Sequence, residues 1–280
     1  MPHSSSPPPS PSAAFFLEHL RSESARFREV LVDAPTGVRV PTCPEWDTDD
    51  LLWHLGEVQW FWGEIAERGL TTGEQVAAVN ADRAPRPADR TGLLAFYDRS
   101  SERLHRVLSG LAPKTELWMW ADDHSAGYIA RRQAHEALIH RLDAELTAGV
   151  ERSPFDPALA ADGVDEALTI MRGHEDSPDE PGIRSAPLGR PVVISAVDTM
   201  HSWTVTPLRV FGTDRDGDKL DATAFAVEQG AHGGGATEIC GTAAELDCWL
   251  WNRPAVGAIT RTGDAAALAA VDGVVVDSID

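Results

Sequence analysis

Three residues on two predicted helices carry donor atoms at spacings that suit a metal ion. The segment RRQAHEALIHRLDAE spans residues 131–145. It invites comparison with the HExxH zinc motif, whose histidines stand four residues apart. His135 and His140 are five apart, about 140° around a helix, so they point to different sides. Glu136 and His140 are four apart instead, and Asp143 follows three further on. Those three share one stripe, and a carboxylate and an imidazole so placed can reach one ion from one helix. His54 offers a donor from an earlier helix. It stands on the stripe Leu51–His54–Val58–Phe61–Ile65, whose other members are apolar. A core-facing imidazole needs a hydrogen bond, a metal or a water. If the two helices are neighbours, His54, Glu136 and His140 form a His₂Glu set with open positions, the pattern of catalytic rather than structural zinc. On spacing alone, the same residues suit a satisfied core histidine and a solvated helix face equally well.

The elements that must position these residues are helical from Ala13 to about Leu146. Phe16, Leu20, Phe27, Val30 and Leu31 mark a first helix over residues 12–31. A turn-rich stretch, DAPTGVRVPTCPEW, follows. Asp47 or Thr48 then caps a second helix, with Asp49 and Asp50 in its first turn. A loop over 69–91 leads to a third helix bearing Leu94, Tyr97, Leu104 and Leu108, and a fourth runs over 128–146. Four such helices predict an antiparallel bundle.

The second half reads as α+β. One helix is expected over 157–172, then a Pro/Gly/acid-rich loop over 173–190 that would lid a cleft or merely link. Short strand-like runs follow (VVISAVD, SWTVTPLRV, ATAFAVEQ, ATEIC), interrupted by the helix GTAAELDCWLWNR and closed by a DAAALAAV turn. Their connections are mostly short enough for antiparallel pairing. The expected organisation is a disordered Pro/Ser tail over 1–12, a metal-binding bundle over 13–150 and an α+β domain over 151–280, with the active site where the two meet.

Composition excludes several functions. With 44 acidic and 24 basic residues among 280, the formal net charge is −20. Such a surface repels phosphate backbones and anionic lipid. No apolar run reaches the 18 or so residues of a spanning helix, and no secretory signal opens the chain. Three cysteines (Cys43, Cys240, Cys248) form no CxxC pair, which argues against a disulfide framework or cysteine zinc site and for a reducing cytoplasm.

The string VPTCPEWDTDDLLWHLGEVQWFW, residues 40–62, resembles the N-terminal domain of mycothiol-dependent maleylpyruvate isomerases, part of the wider DinB-like metal-binding bundles. RRQAHEALIHRLDAE resembles that family's second motif. The resemblance implies that His54, Glu136 and His140 bind a divalent metal, usually zinc. GTAAELDCWLWNR resembles the family's small α+β domain, related in shape to sterol-carrier folds. The implied chemistry is activation of a small thiol, mycothiol, as thiolate. The thiolate adds to a small electrophile, as in cis–trans isomerisation or in S-transfer. A degenerate, regulatory metal-binding protein is the rival reading.

Other residues have smaller parts. Asp143 either holds a ligand imidazole from behind or pairs with Arg141 or Arg132. The family's C-terminal domain contributes an arginine to activity. Arg253 is the first choice for that carboxylate clamp, with Arg209 and Arg261 as competitors. Cys43 reads as packing, most tryptophans as core, and Trp118 and Trp120 as a pocket rim. HGGG at 232–235 lacks the G-x-S-x-G elbow of an esterase and reads as a turn.

Overall fold

Each helix of the N-terminal half begins where a short polar side chain satisfies the free amides of its first turn. Ser12 caps α1 (Ala13–Val32) and accepts from Phe15 N. A hairpin of β1 (Arg39–Val40) and β2 (Cys43–Asp47) follows. Asp47 caps α2 (Thr48–Arg68) in a reciprocal capping box with Asp50. Thr72, Asp89 and Ser125 cap α3 (Gly73–Ala81), α4 (Arg90–Gly110) and α5 (Ala126–Ala148). Gly69 and Gly149, at φ 62° and 65°, close α2 and α5 in the left-handed conformation that glycine adopts without cost.

The computed structural model describes residues 11–83, 85–176, 182–215, 217–231 and 237–276. These form two compact units, which divide between Pro154 and Phe155. Residues 1–10 of the expected tail and the HGGG segment at 232–235 lie outside the described residues.

In the first unit α1 packs against α4 and α5, and α2 packs against the same two helices. The bundle is therefore α1–α4–α2–α5 in circular order. Its directions depart from a simple up-and-down bundle. Arg28 meets Asp98, and Arg21, earlier on α1, acts on His105, later on α4, so α1 and α4 run antiparallel. Phe16 meets His135 and Arg26 meets Glu145, so α1 and α5 run parallel. Trp53 meets Phe96 and Glu67 meets Arg103, making α2 and α4 parallel and α2 and α5 antiparallel. A parallel neighbour needs a long connection, and the 69–89 segment supplies one. It contains α3, a helix inside the expected 69–91 loop. Only Val76 and Val79 of its nine residues are buried, too few to print a helical period. The β1–β2 hairpin likewise lies inside the stretch read as turns.

The buried face of α2 differs from the expected stripe. Leu51, Leu52, Leu55, Gln59, Trp62, Ile65 and Ala66 are buried, whereas His54, Val58 and Phe61 are half-buried. His54 thus borders the core rather than facing its centre. By contrast α5 is buried nearly all round, polar residues included. Arg141 pairs with Glu23 at 2.7 Å and Glu145 at 2.8 Å, which is how so polar a helix tolerates burial.

The second unit is α+β. α6 (Pro157–Glu166) ends in a π-helical turn at Ala167–Met171, where one continuous helix was expected. The strands are β3 (Ile183–Pro187), β4 (Val192–Ala196), β5 (His201–Thr213), β6 (Lys219–Gln229), β7 (Glu238–Gly241) and β8 (Thr260–Thr262). β3 pairs with one end of β5 and β4 with the other, β6 runs along β5, and β7 joins β4 to β8. All pairings are antiparallel except β4–β7. β3 falls within the stretch read as a loop. α7 (Ala243–Leu250) packs on α6, and α8 (Ala265–Val275) on β4, β5 and β6. Gly163 makes the α6–α7 approach possible, since a Cβ there would lie 2.8 Å from Asp247 Oδ2.

Candidate metal centre

α2 and α5 cross so that His54, Glu136 and His140 converge. One ligand atom from each lies within 4.8 Å of the other two. His54 Nε2 and His140 Nε2 are each 3.3 Å from the same oxygen, Glu136 Oε1. The second carboxylate oxygen, Oε2, accepts from Arg132 Nη2 at 2.8 Å. His140 Nδ1 lies 3.0 Å from Asp143 Oδ2, and the Thr42 hydroxyl donates to Asp143 Oδ1 at 2.6 Å. Asp143 thus lies directly behind the His140 ring, the position that the first of its two expected roles requires.

This donor set fits a divalent cation. Binding His140 Nδ1 to a carboxylate fixes the tautomer that presents the Nε2 lone pair, and the Arg132 contact turns Oε1 inward. The electrostatics agree. Burial would push the Glu136 carboxyl up, but hydrogen bonds from His140 and His54 and the charges of His140 and Arg132 hold it well below the usual carboxylate range. Burial would push His140 down, but Asp143 and Glu136 outweigh it and raise its pKa to about 9. Without a metal, a proton supplies the positive charge that this cluster of carboxylates demands.

Trp46, quoted in the sequence only as part of PTCPEW, walls the centre. Its ring centroid is 4.5 Å from that of His54 and 6.1 Å from that of His140. Of the tryptophans expected at a pocket rim, Trp118 stacks on Trp62 at 5.9 Å and Trp120 is 49% exposed; Trp53 lies against Phe96 at 4.9 Å. Cys43 is buried in the core cluster with Val40, Leu52 and Leu55. Arg253 belongs to the second unit; it is buried, and its Nη1 donates to the Trp251 carbonyl at 2.7 Å. Its two competitors form ion pairs, Arg209 with Asp221 at 2.7 Å and Arg261 with Asp272 at 3.2 Å.

The sequence profile of the family "Mycothiol maleylpyruvate isomerase N-terminal domain" matches residues 17–145. Residues 17–145 belong to that family. The resemblance read in residues 40–62 and 131–145 is borne out, and the three converging donors all fall inside the mycothiol maleylpyruvate isomerase domain. Two solved structures share the wider fold. One is a mycothiol-dependent maleylpyruvate isomerase, 12% identical, with a TM-score of 0.55 over 89% of this chain and 92% of that chain. The other is a histidine-to-alanine mutant of a mycothiol-dependent maleylpyruvate isomerase, 10% identical, with the same TM-score and coverage. At these identities the likeness is one of fold. No curated protein matches. Among the described residues, no helix is long and apolar enough to cross a membrane.

Proposed function

We propose that the chain is a metal-dependent enzyme that uses mycothiol, or a thiol like it, to attack a small electrophile. The observation that carries this reading is the convergence of His54 Nε2, Glu136 Oε1 and His140 Nε2 within 4.8 Å of one another. A divalent metal held by these three residues, zinc by the nature of the donors, would supply a thiolate near neutral pH by lowering the thiol's pKa.

The chain's own residues prepare that site. Asp143 keeps the His140 Nδ1 proton and so leaves Nε2 as a donor of electrons. Arg132 neutralises part of the Glu136 charge and holds one of its oxygens. Trp46 excludes water from one side of His54. The buried Cys43 is not a nucleophile on this reading, because the cosubstrate brings the sulfur. In the isomerase form of the reaction, sulfur adds to a cis double bond, the resulting single bond rotates, and elimination returns the trans product and the thiol. In the transferase form the sulfur stays on the electrophile. Arg253 is the proposed clamp for a substrate carboxylate.

The test is metal analysis of the purified chain, followed by an assay with zinc, mycothiol and maleylpyruvate, read by NMR. Thiol-dependent formation of the trans isomer supports the isomerase, and a thioether adduct supports the transferase. Stoichiometric metal with neither thiol-dependent product would favour a non-catalytic, regulatory metal-binding protein.

A further inference from the structure

The hairpin ahead of α2 touches the metal centre from two sides. β1 and β2 are joined by the two-residue turn Pro41–Thr42, with Val40 paired to Cys43. Val40 and Cys43 are buried in one cluster with Ala144, the neighbour of Asp143, so the turn is anchored beside α5. From it the Thr42 hydroxyl reaches Asp143 Oδ1, the oxygen opposite the one that faces His140. At the other end of β2, Trp46 lies against the His54 ring. Arg39 Nη1 donates to the Glu45 carbonyl across the hairpin at 3.0 Å, and the Asp47 cap ties its end to α2.

We propose that the β1–β2 hairpin is a positioning element for the metal centre: Thr42 orients His140 through Asp143, and Trp46 holds the His54 ring by a tilted ring contact. The inference rests on the metal-binding reading above. A carboxylate with one oxygen pinned by a hydroxyl cannot swing about its Cβ–Cγ bond, so its other oxygen keeps the imidazole in one plane. His54, with 31% of its side chain exposed, has solvent-facing rotamers open to it, and the indole ring packed against it at 4.5 Å restricts them. Outer partners of this kind are worth about 10–100-fold in metal affinity. Both contacts come from one strand pair that contributes no ligand itself.

The experiment compares the full-length chain with Thr42→Val, Thr42→Ser, Trp46→Leu and Trp46→Phe. Zinc affinity is measured by chelator competition, cobalt(II) is followed by its visible absorption and its quenching of tryptophan fluorescence, and Tm is measured without metal. Thr42→Val is expected to bind zinc about 10–100-fold more weakly and to alter the cobalt spectrum, while Thr42→Ser restores both. Trp46→Leu should weaken zinc binding in the same sense. Cobalt should quench in the wild type a tryptophan component that Trp46→Phe lacks. Wild-type zinc affinity in Thr42→Val and Trp46→Leu, with only the metal-free Tm changed, would reduce the hairpin to a structural cover and overturn the proposal. A wild-type chain that binds neither zinc nor cobalt overturns the metal centre itself, a separate result that removes the ground of both.

Discussion

His140 and Asp143 stand three residues apart on α5 with Nδ1 and Oδ2 separated by 3.0 Å, both buried. The carboxylate therefore acts on the imidazole from the side opposite Glu136. Replacing Asp143 with Asn keeps the shape and removes the charge that holds the Nδ1 proton. Asp143→Asn should bind zinc about 10–100-fold more weakly than the wild type, as measured by chelator competition. An unchanged affinity would mean that Asp143 serves the fold alone.

The two imidazoles share Glu136 Oε1, so loss of any one donor leaves the other two without a closed set. His54→Ala, Glu136→Gln and His140→Ala are each expected to abolish bound metal and thiol-dependent turnover, checked by elemental analysis and assay. Cys43→Ala should retain both and lose only packing stability, on the order of 1 kcal/mol, as for a small buried apolar group. Retained metal with lost turnover in Cys43→Ala would place the nucleophile in the protein and sink the thiol cosubstrate.

In the metal-free chain His140 holds its proton up to about pH 9, because Asp143 and Glu136 outweigh its burial. An ion that takes Nε2 must displace that proton. Zinc affinity should therefore rise about tenfold per pH unit between neutrality and pH 9, then level off. Titration in two buffers of different ionisation enthalpy would count the proton released. A flat affinity over that range would show that His140 is already neutral.

The ligand set was legible because helical geometry is carried by sequence spacing: Glu136 and His140 had to share a stripe wherever α5 lay. The apolar stripe that marks His54 borders the core rather than filling it, since the buried face of α2 runs through Leu52, Leu55 and Gln59. The residues behind the ligands were harder to see. Thr42 reaches Asp143 across 101 positions from a two-residue turn, and Trp46 sits on a five-residue strand. Neither segment is long enough to show a period. Direction was also hidden: hydrophobic pattern marks which face of a helix is buried, not which way its neighbour runs, so the parallel α1–α5 pair could not be read. Charge pairing offered the one available hint, since Glu23, Arg26, Arg141 and Glu145 all lie in the same pair of helices.

That buried network has its own consequence for acid stability. Burial would raise the Glu145 carboxyl, but hydrogen bonds from Ser153, Arg141 and Arg26 outweigh it and hold it below the usual range. A depressed carboxyl contributes stability above its unfolded pKa of about 4.3 and loses it as pH falls through the lower folded value. Glu145→Gln should cost about 3–5 kcal/mol at pH 7, as expected when one partner of a buried pair is removed. The difference from wild type should shrink as the pH falls below 4. Urea melts at pH 7 and pH 3 measure it, and a constant gap would show that the charge of Glu145 is not what stabilises the bundle.

Arg253 gives the sharpest test of whether the second unit takes part in chemistry. The residue is 7% exposed with Nη1 on the Trp251 carbonyl, so truncation to alanine removes packing as well as charge. The substrate can separate the two effects. A clamp on a carboxylate acts only on substrates that carry one, through a charge-assisted bond of about 1.5–3 kcal/mol. Arg253→Ala should therefore lower kcat/KM for a carboxylate-bearing electrophile by about 10–100-fold while leaving zinc content unchanged. For an uncharged electrophile of similar reactivity, kcat/KM should stay near the wild-type value. Equal losses on both substrates would show a structural role for Arg253, and wild-type kinetics on both would show that residues 11–154 work without it.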